Sequence, residues 1–204
     1  MNRQQVPNAL TGLRLVFSAA LFTLLALYQH DPAATYPPAM LVALALFILA
    51  AVTDALDGHL ARKWDAETAF GRVADPVADK VLILGTAIFL AGPAFATPQA
   101  QVTGLAPWMA VVMLLREFLV TAIRSEVESR GVKFGANLWG KLKMILQSVV
   151  LPCCLFFAWA GWAEGSAWAW LRDALVWAMV IATAASAVPY VTGAVKALRA
   201  PSDA

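Results

Sequence analysis

Long apolar runs separated by short polar segments dominate the pattern of the 204-residue chain. A helix needs about 20 mostly apolar residues to cross the hydrocarbon core of a bilayer. Six runs approach that length, at residues 9–28, 38–56, 81–97, 105–123, 144–162 and 174–195. The pattern therefore predicts an all-α integral membrane bundle of six transmembrane helices, folded as a single domain over residues 1–204.

The composition points the same way. Hydrophobic residues make up 61% of the chain and charged residues 14%, with a mean hydropathy of +0.69. Ordinary soluble domains are roughly half apolar and a quarter charged, so this chain falls outside that class. A net charge of +2 gives no basis for nucleic-acid binding, and the adjacent residues Cys153 and Cys154 do not make a disulfide framework.

The basic residues are distributed unevenly over the predicted loops. All Lys and Arg residues except Arg116 and Arg172 fall on one side of the six-helix map: Arg3, Arg14, Arg62, Lys63, Arg72, Lys80, Arg124, Arg130, Lys133, Lys141, Lys143, Lys196 and Arg199. Short cytoplasmic loops carry an excess of such residues, so both termini are expected in the cytoplasm. Because Arg14 lies inside the first apolar run, that run is expected to be a retained helix and not a signal peptide.

Four aspartates lie at the cytoplasmic ends of the second and third predicted helices. Asp54 and Asp57 are three residues apart, and Asp75 and Asp79 are four apart, so each pair shares one helix face. A charge within a membrane span costs about 2.5–3.5 kcal/mol, so a positive partner should compensate these carboxylates. Hard oxygen ligands suit Mg²⁺ or Mn²⁺, and four carboxylates are enough to hold two ions.

The spacing D-x₂-D-G-x₂-A-R-x₈-G-x₃-D-x₃-D, which begins at Asp54 and ends at Asp79, resembles the signature of the CDP-alcohol phosphotransferases. Members of that family are six-helix membrane enzymes that move a phosphatidyl-type group from a CDP-linked lipid to an alcohol and release CMP. The resemblance implies that all four aspartates bind metal and that Asp79 is the candidate general base. It also implies cytidine diphosphate contacts at Gly58, Ala61, Arg62 and Gly71.

The first predicted helix begins with three polar residues, Asn8, Thr11 and Arg14. Asn8 and Thr11 are expected to touch the nucleotide, although helix capping explains these two residues nearly as well. Arg14 is explained either by nucleotide contact or by snorkelling to the membrane interface.

Residues 7–14, residues 75–81 and the later basic positions are similar to the family branch whose donor is CDP-diacylglycerol and whose acceptor is glycerol-3-phosphate. Arg116, Arg124 and Lys141 are accordingly expected to bind the acceptor phosphate. Arg116 lies mid-span, so it either pairs with Glu117 or projects into a polar cavity. The basic residues Arg130, Lys133 and Lys143 either belong to the same phosphate pocket or contact lipid head groups, and the sequence favours neither explanation.

The resemblance further implies a homodimer in a bacterial inner membrane, in contact with membrane lipids and with its active site facing the cytoplasm. Serine, inositol phosphate and phosphatidylglycerol remain alternative acceptors. A divalent-cation transporter is a further alternative, but transporter sites lie near the bilayer midplane, whereas these aspartates gather at helix ends.

Overall fold

The computed structural model describes residues 5–31, 36–64, 69–98, 100–129, 138–161 and 166–199. Apart from one isolated bridge between Ala96 and Gln101, the regular structure in these residues is helical. The helices are α1 (Gln5–Leu27), α2 (Pro38–Trp64), α3 (Ala69–Leu90), the short 3₁₀ turn Pro93–Phe95, α4 (Pro107–Ser129), α5 (Leu138–Ala160), α6 (Ala167–Ala185) and α7 (Val188–Arg199). The all-α prediction is confirmed.

Four segments of the described chain are long and apolar enough to cross a membrane: Ala9–Leu27, Pro38–Gly58, Leu138–Ala160 and Ala167–Val195. The last of these runs through both α6 and α7. Helices α3 and α4 have 22 and 23 residues, but ionised residues interrupt their apolar sequence. The fold is therefore that of a membrane protein, and the count of six spans stays a prediction.

The third predicted run is wrong at both ends, because α3 begins at Ala69 and ends at Leu90. Two side chains from the following loop satisfy the carbonyl groups at its end. Thr103 Oγ1 donates to Leu90 O at 2.7 Å, and Gln101 Nε2 donates to Leu90 O and Gly92 O at 3.1 and 3.0 Å. The chain turns here because these hydrogen bonds replace those of a continued helix.

The last predicted run, residues 174–195, is also not one continuous helix. Helix α6 ends at Ala185, and α7 begins at Val188 after a turn. Pro189 explains the break, since it has no backbone N–H to donate to the carbonyl of Ala185. The turn places Ser186 in the interior of the bundle, where it is fully buried.

The helices pack around one apolar core, to which Leu21, Phe47, Leu82, Met113, Leu151 and Met179 contribute side chains no more than 3% exposed. Helix α1 lies along α2 and α3, α5 joins α2 to α6, and α4 packs on α6 and α7. At Gly85 of α3 a Cβ atom would collide with the ring of Phe22, so a larger residue here would force that ring to move.

Charged and apolar residues are arranged as expected for a protein surrounded by lipid. Large apolar side chains cover much of the surface, with Leu27 79% and Trp170 74% exposed, whereas Arg14 and Lys143 are buried. In water this arrangement would be unfavourable, because apolar area would be solvated and charges desolvated. The buried charges therefore need specific partners, and those partners define the candidate site.

Candidate active site

The first group of buried charges joins α1 to α2 and is called here the carboxylate cluster: Thr11, Arg14, Asp54 and Asp57. Arg14 is 0% exposed and places its guanidinium between two carboxylates. Its Nη1 lies 2.6 Å from Asp54 Oδ1, and its Nη2 donates to Asp57 Oδ2. Thr11 Oγ1 also donates to Asp57 Oδ2, at 3.3 Å. One cation thus serves two carboxylates on one face of α2.

The carboxylate cluster identifies Arg14 as a positive partner of the first aspartate pair, whereas the expected bound metal stays a prediction. Snorkelling of Arg14 to the interface is wrong, since the side chain is completely buried. Nucleotide contact by Thr11 stays a prediction, but helix capping by Asn8 or Thr11 is wrong, because α1 begins at Gln5 and both residues lie inside it. The signal for Arg14 was present in the sequence as a charge inside an apolar run.

The two halves of the signature lie on neighbouring helices, as predicted. Gly58, Ala61 and Arg62 follow the first aspartate pair on α2, and Gly71 and Asp75 precede Asp79 on α3. The side-chain surroundings of Asn8, Ala61, Arg62, Gly71 and Asp75 lie outside the described residues. Convergence of all four aspartates therefore stays a prediction.

Asp79 connects the carboxylate cluster with a second group of charges. It is partly buried on α3 and lies within electrostatic range of Arg14, Lys143 and Glu117. Within the part of the chain that the structure describes, no three Asp, Glu, His or Cys residues come together as a metal site. The metal prediction therefore rests on the described pair Asp54 and Asp57, together with Asp75 and Asp79.

The second group lines a cavity of about 460 Å³ between α3, α4, α5 and α7, called here the basic pocket. Its ionisable lining residues are Asp79, Lys80, Arg116, Glu117, Arg124, Lys141 and Lys143. Five cations thus face two carboxylates, so the pocket has an excess of positive charge. The three residues predicted to bind the acceptor phosphate, Arg116, Arg124 and Lys141, all line it.

Arg116 satisfies both alternatives left open by the sequence. Its Nη1 lies 3.0 Å from Glu117 Oε1, and the residue also lines the cavity. Its Nε donates to Ser186 Oγ at 2.7 Å, and its guanidinium carbon lies 5.7 Å from the centre of the Tyr190 ring. The break between α6 and α7 thus supplies two partners for one buried arginine.

Lys143 is buried and forms an ion pair with Glu117 across the pocket. Of the two explanations that the sequence left open for Lys143, its burial in the pocket lining favours the pocket over a lipid contact. The guanidinium carbon of Arg124 lies 5.8 Å from the centre of the Tyr190 ring. Lys141 is exposed at the rim of the basic pocket. Arg130 and Lys133 lie outside the described residues.

Sequence reasoning missed Ser186 and Tyr190. Ser186 lies in the turn between α6 and α7 and Tyr190 lies on α7, so both are far in the chain from Arg116, with which they interact. Pro189, three residues after Ser186, is the available signal, because a proline inside an apolar run predicts a break at which side chains are re-aimed.

The chain matches the CDP-alcohol phosphatidyltransferase family over residues 4–185 and belongs to that family. The match includes the carboxylate cluster and all of the basic pocket except Tyr190. The family prediction is confirmed.

Three relatives show where in the family the similarity lies. The CDP-diacylglycerol–glycerol-3-phosphate 3-phosphatidyltransferase of Cereibacter sphaeroides is 34% identical over 149 residues, covering 72% of this chain and 61% of the relative. The protein of that name from Bacillus subtilis is 38% identical over 120 residues, covering 58% and 57%. A probable phosphatidylglycerophosphate synthase of Mycobacterium tuberculosis is 39% identical over 144 residues, covering 71% and 62%. The chain thus spans less than two thirds of the length of each.

Proposed function

We propose that this protein transfers the phosphatidyl group of CDP-diacylglycerol to the 1-hydroxyl of sn-glycerol-3-phosphate, giving phosphatidylglycerophosphate and CMP. The observation that carries the proposal is the basic pocket, in which five cations surround a space that Asp79 of the signature also lines. A phosphorylated acceptor needs such a pocket, whereas an uncharged alcohol does not. The names of the relatives support the same donor and acceptor.

The acceptor is oriented by its two ends. Arg116, Arg124 and Lys141 bind its phosphate, with Lys143 as a fourth cation in the same cavity. Its hydroxyl lies toward Asp79, whose carboxylate takes the hydroxyl proton. The hydroxyl oxygen forms a bond to the phosphorus that bears the diacylglycerol, the bond from that phosphorus to the CMP oxygen breaks, and CMP leaves with the electron pair.

The donor end fits Mg²⁺ or Mn²⁺ by the chemistry of its ligands. Asp54 and Asp57 already converge on one buried cation, and carboxylate oxygens are the ligands that these metals prefer. Asp54, Asp57, Asp75 and Asp79 would hold two ions, whose chemical contribution is to neutralise the diphosphate and the departing CMP oxygen. Gly58, Ala61, Arg62 and Gly71 accommodate the cytidine diphosphate, with Asn8 and Thr11 beside it.

The setting proposed for this reaction is a bacterial inner membrane, with six spans, both termini and the active site on the cytoplasmic side, and two copies of the chain as a homodimer. The four apolar helices support the membrane setting and the uneven distribution of basic residues supports the orientation, whereas the homodimer is implied by the family resemblance alone. In it, soluble glycerol-3-phosphate meets the lipid-linked donor at the membrane surface.

CMP release by the purified protein in detergent tests the proposal. CDP-diacylglycerol and Mg²⁺ or Mn²⁺ are supplied, with glycerol-3-phosphate, serine, inositol phosphate and phosphatidylglycerol offered separately. We expect release only with glycerol-3-phosphate, none with EDTA, and none from Asp79→Asn. Release with another acceptor would overturn the substrate, and no release by folded protein with any acceptor would overturn the activity and favour cation transport.

A further inference from the structure

We infer that Glu117 is a positioning residue of the acceptor site, which holds Arg116 and Lys143 at a fixed separation and thereby sets the phosphate-binding geometry. The inference rests on the proposed function. Glu117 faces the acceptor phosphate with the wrong sign of charge, so it does not bind the phosphate itself. It acts through the two cations that it contacts.

The first support is the position of Glu117 between two walls of the basic pocket. Helices α4 and α5 are not among the closely packed helix pairs of the described chain, because the cavity lies between them. Glu117 on α4 nevertheless accepts a hydrogen bond from Lys143 Nζ on α5. The same oxygen, Oε1, lies 3.0 Å from Arg116 Nη1. One carboxylate oxygen thus connects the two walls.

The second support is burial. Arg116, Glu117 and Lys143 are only 8%, 9% and 6% exposed. In such surroundings two unscreened cations repel one another strongly, so without the carboxylate they would move apart. Arg116 is further held by Ser186, which confines the movement chiefly to Lys143 and α5.

The substitution Glu117→Gln separates positioning from simple charge, because the two explanations predict opposite signs. The amide keeps the shape of the side chain but removes a negative charge from the pocket. If charge alone mattered, the more positive pocket would bind the phosphate more tightly and KM for glycerol-3-phosphate would fall. Positioning predicts that this KM rises by about tenfold or more, because the cations are no longer held together.

The experiment measures KM for each substrate and kcat for wild type, Glu117→Gln and Glu117→Asp, with Glu126→Gln as control. Glu126 is an exposed acidic residue on the same helix. We expect the acceptor KM to rise in Glu117→Gln, to rise less in Glu117→Asp, and to stay unchanged in the control. KM for CDP-diacylglycerol should not move. An acceptor KM in Glu117→Gln that is unchanged or lower overturns the inference.

The double variant Glu117→Gln with Lys143→Met provides a second test if the single Gln variant folds poorly. Of the three buried charges only Arg116 then remains, still held by Ser186 and Tyr190, so the repulsion between Arg116 and Lys143 that would disturb folding of the single Gln variant is gone. We expect its acceptor KM to match that of Lys143→Met alone, since Glu117 then has only one cation left to hold. Additive effects of the two substitutions would overturn the inference.

Failure of the inference and failure of the proposed function give different results. If wild-type protein uses glycerol-3-phosphate and Glu117→Gln has the same acceptor KM, only the role of Glu117 is refuted. If wild-type protein uses no phosphorylated acceptor, both the proposed function and the role of Glu117 are refuted.

Discussion

The carboxylate cluster and the basic pocket are two buried ion networks with opposite charge patterns. In the first, one cation, Arg14, lies between Asp54 and Asp57. In the second, one anion, Glu117, lies between Arg116 and Lys143. Each network is thus only partly neutralised by its own residues, and the remaining charge is negative in one and positive in the other.

The difference suits the proposed function, in which one bundle binds two unlike ligands close together. Burying ionised groups is costly, so each network contains a counter-ion that lets the helices pack before any ligand binds. On the proposed function, the net charge of each network's own residues suits cations at the carboxylate cluster and a phosphate at the basic pocket. Asp79 lies within electrostatic range of members of both, including Arg14 and Lys143, as the proposed base between the two substrates requires.

The largest effect is expected when the carboxylate cluster loses a ligand. Asp57→Asn removes the carboxylate shared by Arg14 and Thr11, and with it a proposed metal ligand. CMP release should fall by about a thousandfold, since charge stabilisation at the reacting phosphate is lost. Circular dichroism and gel filtration in detergent check that the variant is folded. Activity within tenfold of wild type would contradict the assignment of this site.

Removing the counter-ion of the same cluster should affect stability. Arg14→Gln leaves two carboxylates, one of them buried, without their guanidinium, so the free energy of unfolding should fall by about 3 kcal/mol. Mn²⁺ should raise the melting temperature of this variant by more than that of wild type, because the ion supplies the missing positive charge. The melting temperatures of both proteins are measured by thermal denaturation with Mn²⁺ and with EDTA. An equal increase with Mn²⁺ in the two proteins would show that the metal and Arg14 do not share these carboxylates.

In the basic pocket the expected effect is on binding of one substrate. Arg116→Gln should raise KM for glycerol-3-phosphate about a hundredfold and leave KM for CDP-diacylglycerol unchanged. Arg172→Gln is the matched control. This buried arginine pairs with Asp173 at 2.8 Å and donates to Val102 O at 2.6 Å, at the opposite end of the bundle.

The control should lower the melting temperature, because the link between α6 and the loop after α3 is lost. Its KM values should remain those of wild type. If Arg172→Gln also raised the acceptor KM, the effect of Arg116→Gln would reflect general loosening of the bundle.

The smallest effect is expected at the rim of the basic pocket. Lys141 is exposed, so solvent and salt screen its charge. Lys141→Gln should raise the acceptor KM only about threefold, and the increase should diminish with added NaCl. A change as large as that of Arg116→Gln would place Lys141 in direct contact with the phosphate and would remove the distinction between wall and rim.

Much of the fold was predictable because it depends on local patterns. Apolar runs predicted helices, and the spacing of the signature placed its aspartates correctly on α2 and α3. The break between α6 and α7 had a local signal in Pro189, whereas the end of α3 depends on tertiary contacts. Thr103 and Gln101 end α3 at Leu90, seven residues before the predicted limit at position 97, and only their folded positions reveal that role.

The candidate site was predictable to a similar degree. Arg116, Arg124 and Lys141 do line one cavity with Asp79, as their proposed roles required. Lys143 was undecided, because a lysine near a helix end has the same sequence pattern whether it faces lipid or a pocket. Tyr190 was missed, because aromatic residues near the ends of membrane helices are common and this one is distinguished only by two neighbouring arginines.

By itself the sequence determined that the chain is a helical membrane protein with a signature on two successive helices, because helix length and residue spacing are local properties. The tertiary structure decided which partners the buried charges meet across the chain. Arg14 meets Asp57 across 43 positions, Lys143 meets Glu117 across 26, and Arg116 meets Ser186 across 70. Helical periodicity shows which face a residue shares, but only the packing of helices determines which face lies opposite, and therefore which ion pairs form.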